Sequence, residues 1–230
     1  MTGCPIGIQI EKPATTGRRL AIADIHGCFF TFQALVKKIH LNSADQLFIL
    51  GDMINRGKRS GYLIDFILQL QESGYSIFPL RGNHENFLHN LITTHASSAD
   101  PDAVRPHLDG KKIKKHHEQF FANLPHYYLS GDDYIMVHAG LDMSGNPLDN
   151  HESMLTIRQF DYNAEKLNNR KVVHGHTPTD LAIIKSSIKQ RSPIINLDNG
   201  CVFKEKRPER GQLLCLDLDS FELVKQRNVE

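Results

Sequence analysis

Five short blocks of this chain put carboxylate, imidazole and amide donors next to glycine: Asp24-Ile25-His26-Gly27, Gly51-Asp52, Gly82-Asn83-His84-Glu85, His138-Ala139-Gly140 and Gly175-His176. Such a donor mixture, without a run of thiolates, suits borderline divalent ions better than a thiolate-bound structural zinc. Six donors exceed the needs of one four-coordinate catalytic ion. They divide between two ions if one carboxylate bridges, and Asp52, central in the set, is the candidate bridge. Two ions about 3.5–4 Å apart can hold a hydroxide and clamp the oxygens of an in-line phosphoryl displacement.

The elements that must position these donors are legible in the flanking residues. Apolar runs precede each block: Leu20–Ala23, Leu47–Leu50, Ile77–Leu80, Tyr134–Val137 and Lys171–Val173. That is the pattern of a buried strand releasing a loop at its end. Asp24 and Asp52 are 28 residues apart and Asp52 and Asn83 are 31, each roughly one strand-helix-strand unit. Donors from successive units can then meet at the carboxyl edge of one sheet, where open α/β sheets bind ligands.

With these blocks in this order, the chain resembles the phosphoprotein phosphatase branch of the calcineurin-like metallophosphoesterases, especially its short bacterial and phage members, from about Leu20 to the end. The resemblance implies an α/β fold of two stacked mixed β-sheets flanked by helices. It implies one metal ion held by Asp24, His26 and Asp52, and a second held by Asp52, Asn83, His138 and His176. Manganese is the first choice of ion, with iron, zinc and cobalt compatible. His174 reads as a strand-end neighbour, with ligation as the alternative. His84 becomes the general acid for the leaving oxygen, a task suited to an imidazole titrating near neutral pH. Arg56, Arg81, Arg158 and Asn83 would hold the phosphate, the arginines by forked, charge-assisted hydrogen bonds.

One position departs from the family pattern. Where Gly-Asp-x-x-Asp-Arg-Gly is usual, this chain has Gly51-Asp52-Met53-Ile54-Asn55-Arg56-Gly57. Asn55 can accept a hydrogen bond from the His84 ring but supplies no charge, so the pKa of His84 should fall. A slower or more acid-shifted enzyme is expected. The resemblance and the Gly82–Glu85 block put a phosphoserine or phosphothreonine protein first among substrates. Symmetrical diadenosine tetraphosphate hydrolases, which also lack an acid here, make a dinucleoside polyphosphate the alternative. A phosphate-binding pseudoenzyme is the third reading, supported by Asn55 alone.

Composition fits an ordinary enzyme: 230 residues, 40% hydrophobic, 23% charged and a net charge of +1, which argues against general affinity for nucleic acid or anionic membrane. No apolar stretch approaches the roughly 20 residues of a membrane span. Cys4, Cys28, Cys201 and Cys215 lack paired spacing, as expected of reduced thiols in the cytoplasm. Cys28 reads as packing. Residues 1–19 read as a leader with a short edge strand over Ile6–Ile10, and residues 20–230 as one domain.

Helices are expected at Phe29–Ile39, Ser60–Glu72, Glu85–His95 and Lys112–Asn123, and strands at Val172–Val173, Ala182–Ile184, Ile194–Leu197, Gln212–Leu218 and Phe221–Lys225. Ser97–Gly110 reads as a mobile loop. The basic run Lys111–His117 reads as a solvated helix face, with a phosphate-attracting rim as the alternative. Asp198-Asn199-Gly200 reads first as a turn and second as a segment lining the site.

Overall fold

The two segments Arg19–Ile22 and Gln46–Ile49 are buried along their whole length, because layers cover both faces of the strands they form. The structure is a computed structural model that describes residues 6–13, 16–94, 101–110, 112–204 and 209–230. In chain order it contains β1 (Gly7–Ile10), β2 (Arg19–Ile22), α1 (Phe29–Lys38), β3 (Gln46–Ile49), α2 (Ser60–Glu72), β4 (Ser76–Pro79) and α3 (Asn83–Thr93). There follow α4 (Pro101–Val104), a 3₁₀ turn (Arg105–His107), β5 (Leu108–Asp109), β6 (Lys112–Ile113), α5 (Lys115–Asn123), β7 (Tyr127–Ser130), β8 (Tyr134–Val137) and α6 (His151–Thr156). The chain closes with β9 (Lys171–His174), α7 (Leu181–Lys189), β10 (Ile194–Asn196), a 3₁₀ turn (Cys201–Phe203), β11 (Gln212–Asp217) and β12 (Leu223–Arg227).

Two mixed five-stranded sheets result, ordered β1-β7-β8-β9-β10 and β12-β11-β2-β3-β4. Period-two alternation decides which side chains face which layer. Ala21, Phe48 and Leu214 meet Tyr128, Met136 and Val173 between the sheets. Leu20, Ile22, Leu47 and Ile49 point the other way, onto Phe32, Leu35, Leu63 and Ile64 of α1 and α2. Ile135, Val137 and Val172 cover the remaining face with Leu141, Met154 and Leu167. This is the expected pair of sheets flanked by helices.

Three local expectations are corrected. Ala182–Ile184 lies inside α7, where Ile184 and Ile188 are buried and Ile183 is 61% exposed, so helical spacing overrides the β-branched pair. Residues 101–110 form α4, a 3₁₀ turn and β5 with Ala103, Val104 and His107 buried, while residues 97–100 lie outside the described part. The helix expected from Lys112 starts at Lys115, after Lys112–Ile113 pairs with Leu108–Asp109.

The short strand expected near Ile6–Ile10 is β1, pairing parallel with β7. Among the described residues no helix is long and apolar enough to cross a membrane. Cys28, Cys201 and Cys215 are free and buried, and Cys4 lies outside the described residues.

Candidate metal and phosphate site

All five blocks leave the carboxyl ends of strands: Asp24 after β2, Asp52 after β3, Asn83 after β4, His138 after β8 and His176 after β9. β2, β3 and β4 run parallel, as do β8 and β9, so their ends fall on one rim of the stacked sheets. The loops are tight enough that Asp24, His26, Asp52, Asn55, Arg56 and His176 all adopt positive φ, between 44° and 71°. Non-glycine residues in that region cost energy and persist where surroundings hold them, typically at functional sites. Two glycines permit close approach. A Cβ on Gly82 would lie 2.3 Å from Asp52 Oδ1, and one on Gly175 would lie 2.0 Å from Asp24 Oδ2.

The donors form two groups around Asp52. His138 Nε2, His176 Nδ1 and Asn83 Oδ1 make a triangle with edges of 3.0, 3.1 and 3.1 Å, and Asp52 Oδ1 is 3.4 Å from His138 Nε2. On the other side Asp52 Oδ2 lies 3.6 Å from His26 Nε2 and 3.9 Å from His84 Nε2. The two oxygens of one carboxylate thus face different imidazole groups, an arrangement that suits a bridging ligand. Backbone carbonyls orient the rings: His26 Nδ1 lies 3.0 Å from Ile54 O and His138 Nδ1 lies 2.8 Å from Leu50 O. Each Nδ1–H donates to its carbonyl, which leaves the Nε2 lone pair for a metal. Burial pushes His138 and His176 down to about 4 and lowers His26 well below its usual value, so all three rings are neutral near pH 7.

Asp24 lies on the same rim with one oxygen uncommitted. Its Oδ2 accepts the His176 backbone N–H at 2.9 Å, and Oδ1 is buried without a hydrogen-bond partner. Asp24, Asp52 and Asp198 are all buried, and desolvation, followed by their mutual repulsion at Asp24, raises Asp24 well above the carboxylate range. Burial likewise lifts Asp52 and Asp198 to about 7. So much unpaired carboxylate, with an orphaned oxygen, is the electrostatic signature of a cation site, and the donor set fits divalent ions.

Two further carboxylates matter that the motif reading gave no role or ranked second. Glu85 is fully buried and accepts the backbone N–H groups of Asp52, Met53, Ile54 and Gly82 at 2.8–3.1 Å, so it holds the loop that aims Asp52. Burial, and then the charge of Asp52, push it up to about 8 against the hydrogen bonds from Ile54, Gly82 and Asp52. Four donors aimed at it require acceptor oxygens, which favours the carboxylate form. Asp198 does belong to a turn, accepting the N–H of Gly200, whose φ is 64°, yet its charge also bears on Asp24 and Asp52. An acid at a strand end was the available signal.

His84 is the second residue of α3, with its ring edge-on to His26 at 5.0 Å. Asn55 Nδ2 sits 3.0 Å from His84 Nδ1, so the amide turns its donor, rather than its oxygen, to the ring. Desolvation and then the Arg56 guanidinium push His84 down to about 4. Arg56 is exposed, 3.4 Å from His84 Nε2 and stacked over Phe203. Arg158 lies exposed in the loop after α6, close enough to His176 to lower its pKa.

Arg81 is corrected. It is 1% exposed, and its guanidinium donates to the carbonyls of Phe121 and Leu124 at the end of α5, because its position just past β4 turns the side chain under that helix. His174, the last residue of β9, packs edge-on to Phe160 and belongs to none of the metal-sized clusters found among the described residues.

The profile of the calcineurin-like phosphoesterase family matches residues 17–208. An asymmetrical bis(5'-nucleosyl)-tetraphosphatase from Anoxybacillus flavithermus is 26% identical, over 88% of this chain and 91% of its own. A symmetrical bis(5'-nucleosyl)-tetraphosphatase from Aromatoleum aromaticum is 33% identical over 53% of this chain and 43% of its own. Among solved structures, a Saccharomyces cerevisiae protein serine/threonine phosphatase superposes with a TM-score of 0.64 at 16% identity, covering 98% of this chain and 84% of its own, a likeness of fold. With this match over most of its length, the chain belongs to the calcineurin-like phosphoesterases, enzymes that hydrolyse phosphoesters at a dinuclear divalent metal centre.

Proposed function

We propose that this enzyme hydrolyses the phosphoanhydride chain of dinucleoside polyphosphates. The observation that carries the reading is the neutral Asn55 amide beside His84. An alkoxide leaving from phosphoserine needs a proton in the transition state, and a histidine with an amide in place of a carboxylate at Nδ1, beside Arg56, is a poor supplier of one. A nucleotide leaves as a phosphate oxyanion, whose conjugate acid has a pKa of about 6, and departs without that proton. The chemistry therefore tolerates Asn55 with this leaving group far better than with an alkoxide. The similarity to bis(5'-nucleosyl)-tetraphosphatases points the same way.

Two divalent ions, when bound, turn water into a nucleophile at neutral pH and neutralise phosphoryl oxygens. Asp24, His26, Asp52, Asn83, His138 and His176 are the residues we assign to hold them. Arg56 forks onto the phosphate, with Arg158 a second guanidinium at the rim. Asn83 commits its oxygen to the histidine triangle, which leaves its amide nitrogen for a phosphoryl oxygen. An open groove of about 550 Å³ beside His84 is lined by Asn55, Arg56, Phe87, Ala103 and Pro106. Phe87 is 46% exposed, an aromatic face on which a base can stack.

The test is competition between diadenosine tetraphosphate and a phosphoserine peptide in Mn²⁺, with products separated by chromatography. A larger kcat/KM for the nucleotide is expected. A larger value for the peptide would restore the protein-phosphatase reading, and no turnover of either, or of an aryl phosphate, would favour the pseudoenzyme.

A further inference from the structure

Within the basic run at the start of α5, Lys112, Lys115 and His116 are exposed, as a solvated face would have them, and Lys111 lies outside the described residues, but His117 is buried and the run converges on one carboxylate. His116 and His117 aim their Nε2 atoms at a single oxygen, Oδ1 of Asp65 on α2, at 3.0 and 2.7 Å. Lys114 Nζ takes the other oxygen, Oδ2, at 2.9 Å. The ligand atoms of Asp65, His116 and His117 lie within 4.8 Å of one another, and none of the three residues belongs to the groups around Asp52.

We propose that Asp65, His116 and His117 form an additional divalent-metal site, of two imidazoles and one carboxylate, that takes Zn²⁺ or a similar borderline ion. Bonds of about 2.0–2.2 Å to a tetrahedral zinc separate its ligand atoms by about 3.3–3.6 Å, so the present cluster has only to open slightly. His116 can supply that movement, since its side chain is 55% exposed, whereas His117 is fully buried and fixed.

Three observations support a metal rather than an ion pair alone. First, one carboxylate oxygen and two imidazole nitrogens converge on one point, and a cation between them would use a lone pair from each. Second, His117 has the partner that ligating histidines usually have: its Nδ1 lies 2.9 Å from Nδ1 of buried His107. With zinc on Nε2, the His117 proton moves to Nδ1 and is donated to His107, which fixes the ring. Third, Asp65 and His116 border a groove of about 830 Å³ between α2, β4 and α5, which leaves a fourth coordination position open to water or an added ligand. The protonation states agree. Burial opposes ionisation of Asp65, but hydrogen bonds from Lys114, His116 and His117 outweigh it and hold the carboxyl well below its usual range. Burial also lowers His117, which keeps that imidazole neutral.

An ion here would join α2 to the start of α5 and, through His107, to the turn that follows α4. α4 and that turn supply Ala103 and Pro106 to the groove beside His84.

Zinc bound per chain, counted by mass spectrometry after chelation, reloading and removal of free ion, tests the site. The full chain is compared with His116→Ala, each alone and in an Asp52→Asn background that weakens the groups around Asp52. Loss of one zinc per chain on His116→Ala in both backgrounds is expected, with loss of the zinc-dependent rise in Tm that persists in Asp52→Asn. Equal zinc counts with and without His116 overturn the site. Lys114→Ala gives an independent readout, because removing the competing cation should tighten zinc binding in the Asp52→Asn chain, and unchanged or weaker binding counts against the proposal. No activity is read, so the outcome is independent of the substrate proposed above.

Discussion

Asn55 Nδ2 and His84 Nδ1 are 3.0 Å apart, in the place where the family pattern has a carboxylate against the imidazole. An amide donor there stabilises the unprotonated Nδ1, and an amide oxygen would add no charge, so neither orientation raises the pKa of the ring. Asn55→Asp should raise it from about 4. Because the acid works only when protonated, the limb on which activity falls with rising pH should move upward by about one unit or more. The pH profile of kcat with an alkyl phosphate measures this, and an unmoved limb would remove Asn55 from the argument.

The same contact predicts how turnover depends on the leaving group. His84→Asn should slow an alkyl phosphate by about 10²-fold, the low end of a general acid's usual worth, because the ring is a poor proton supplier. Hydrolysis of a dinucleoside polyphosphate should slow much less. Equal losses across leaving groups of different basicity would show that His84 acts by some other means.

Glu85 supports the metal groups without joining them. Glu85→Gln turns an amide N–H₂ toward backbone N–H groups now bonded to carboxylate oxygen, at a cost of about 1–3 kcal/mol for each donor left unsatisfied. Reduced denaturant stability is expected together with weaker Mn²⁺ binding, since the loop carrying Asp52 loses its anchor. Unchanged metal affinity in the folded variant would confine Glu85 to stability.

Arg56 and Arg81 should separate cleanly. Arg56→Ala should raise KM for phosphate substrates, as expected for an exposed guanidinium beside His84. Arg81→Ala should leave KM near its original value in the folded protein and cost about 1.5–3 kcal/mol of stability, the range for buried hydrogen bonds to a charged group. Steady-state kinetics and chemical denaturation on the two variants check both.

Chelation should abolish turnover, and Mn²⁺ should restore it. Stability supplies a second readout. Without cations the folded pKa values of Asp52 and Asp198 are about 7, above the ordinary 3.8. Groups raised in this way contribute stability that is complete below the unfolded pKa and is lost as pH rises through the folded one. Between about pH 4 and 7 the stripped protein should therefore lose stability relative to the loaded one. Urea midpoints measured across that range, with and without Mn²⁺, should diverge as pH rises, and parallel curves would contradict the carboxylate assignment.

By itself the sequence determined which atoms lie on the rim. Glycine beside a donor at the end of an apolar run is a local signal, and strand spacing near 30 residues carried Asp24, Asp52 and Asn83 to one sheet edge. Helices with broad apolar faces, such as Ser60–Glu72, were legible for the same reason. Only the tertiary structure decided what depends on contacts between segments distant in the chain. Arg81 stands next to Gly82 in sequence, yet the end of α5, brought in from 40 residues further on, claims its guanidinium for backbone carbonyls. Ala182–Ile184 is helical because α7 packs Ile184 and Ile188 inward. Asp65 and His117 are 52 residues apart, with no motif to join them. Local pattern tells where a side chain leaves the backbone, and long-range packing decides which partner, and therefore which charge and pKa, it finds there.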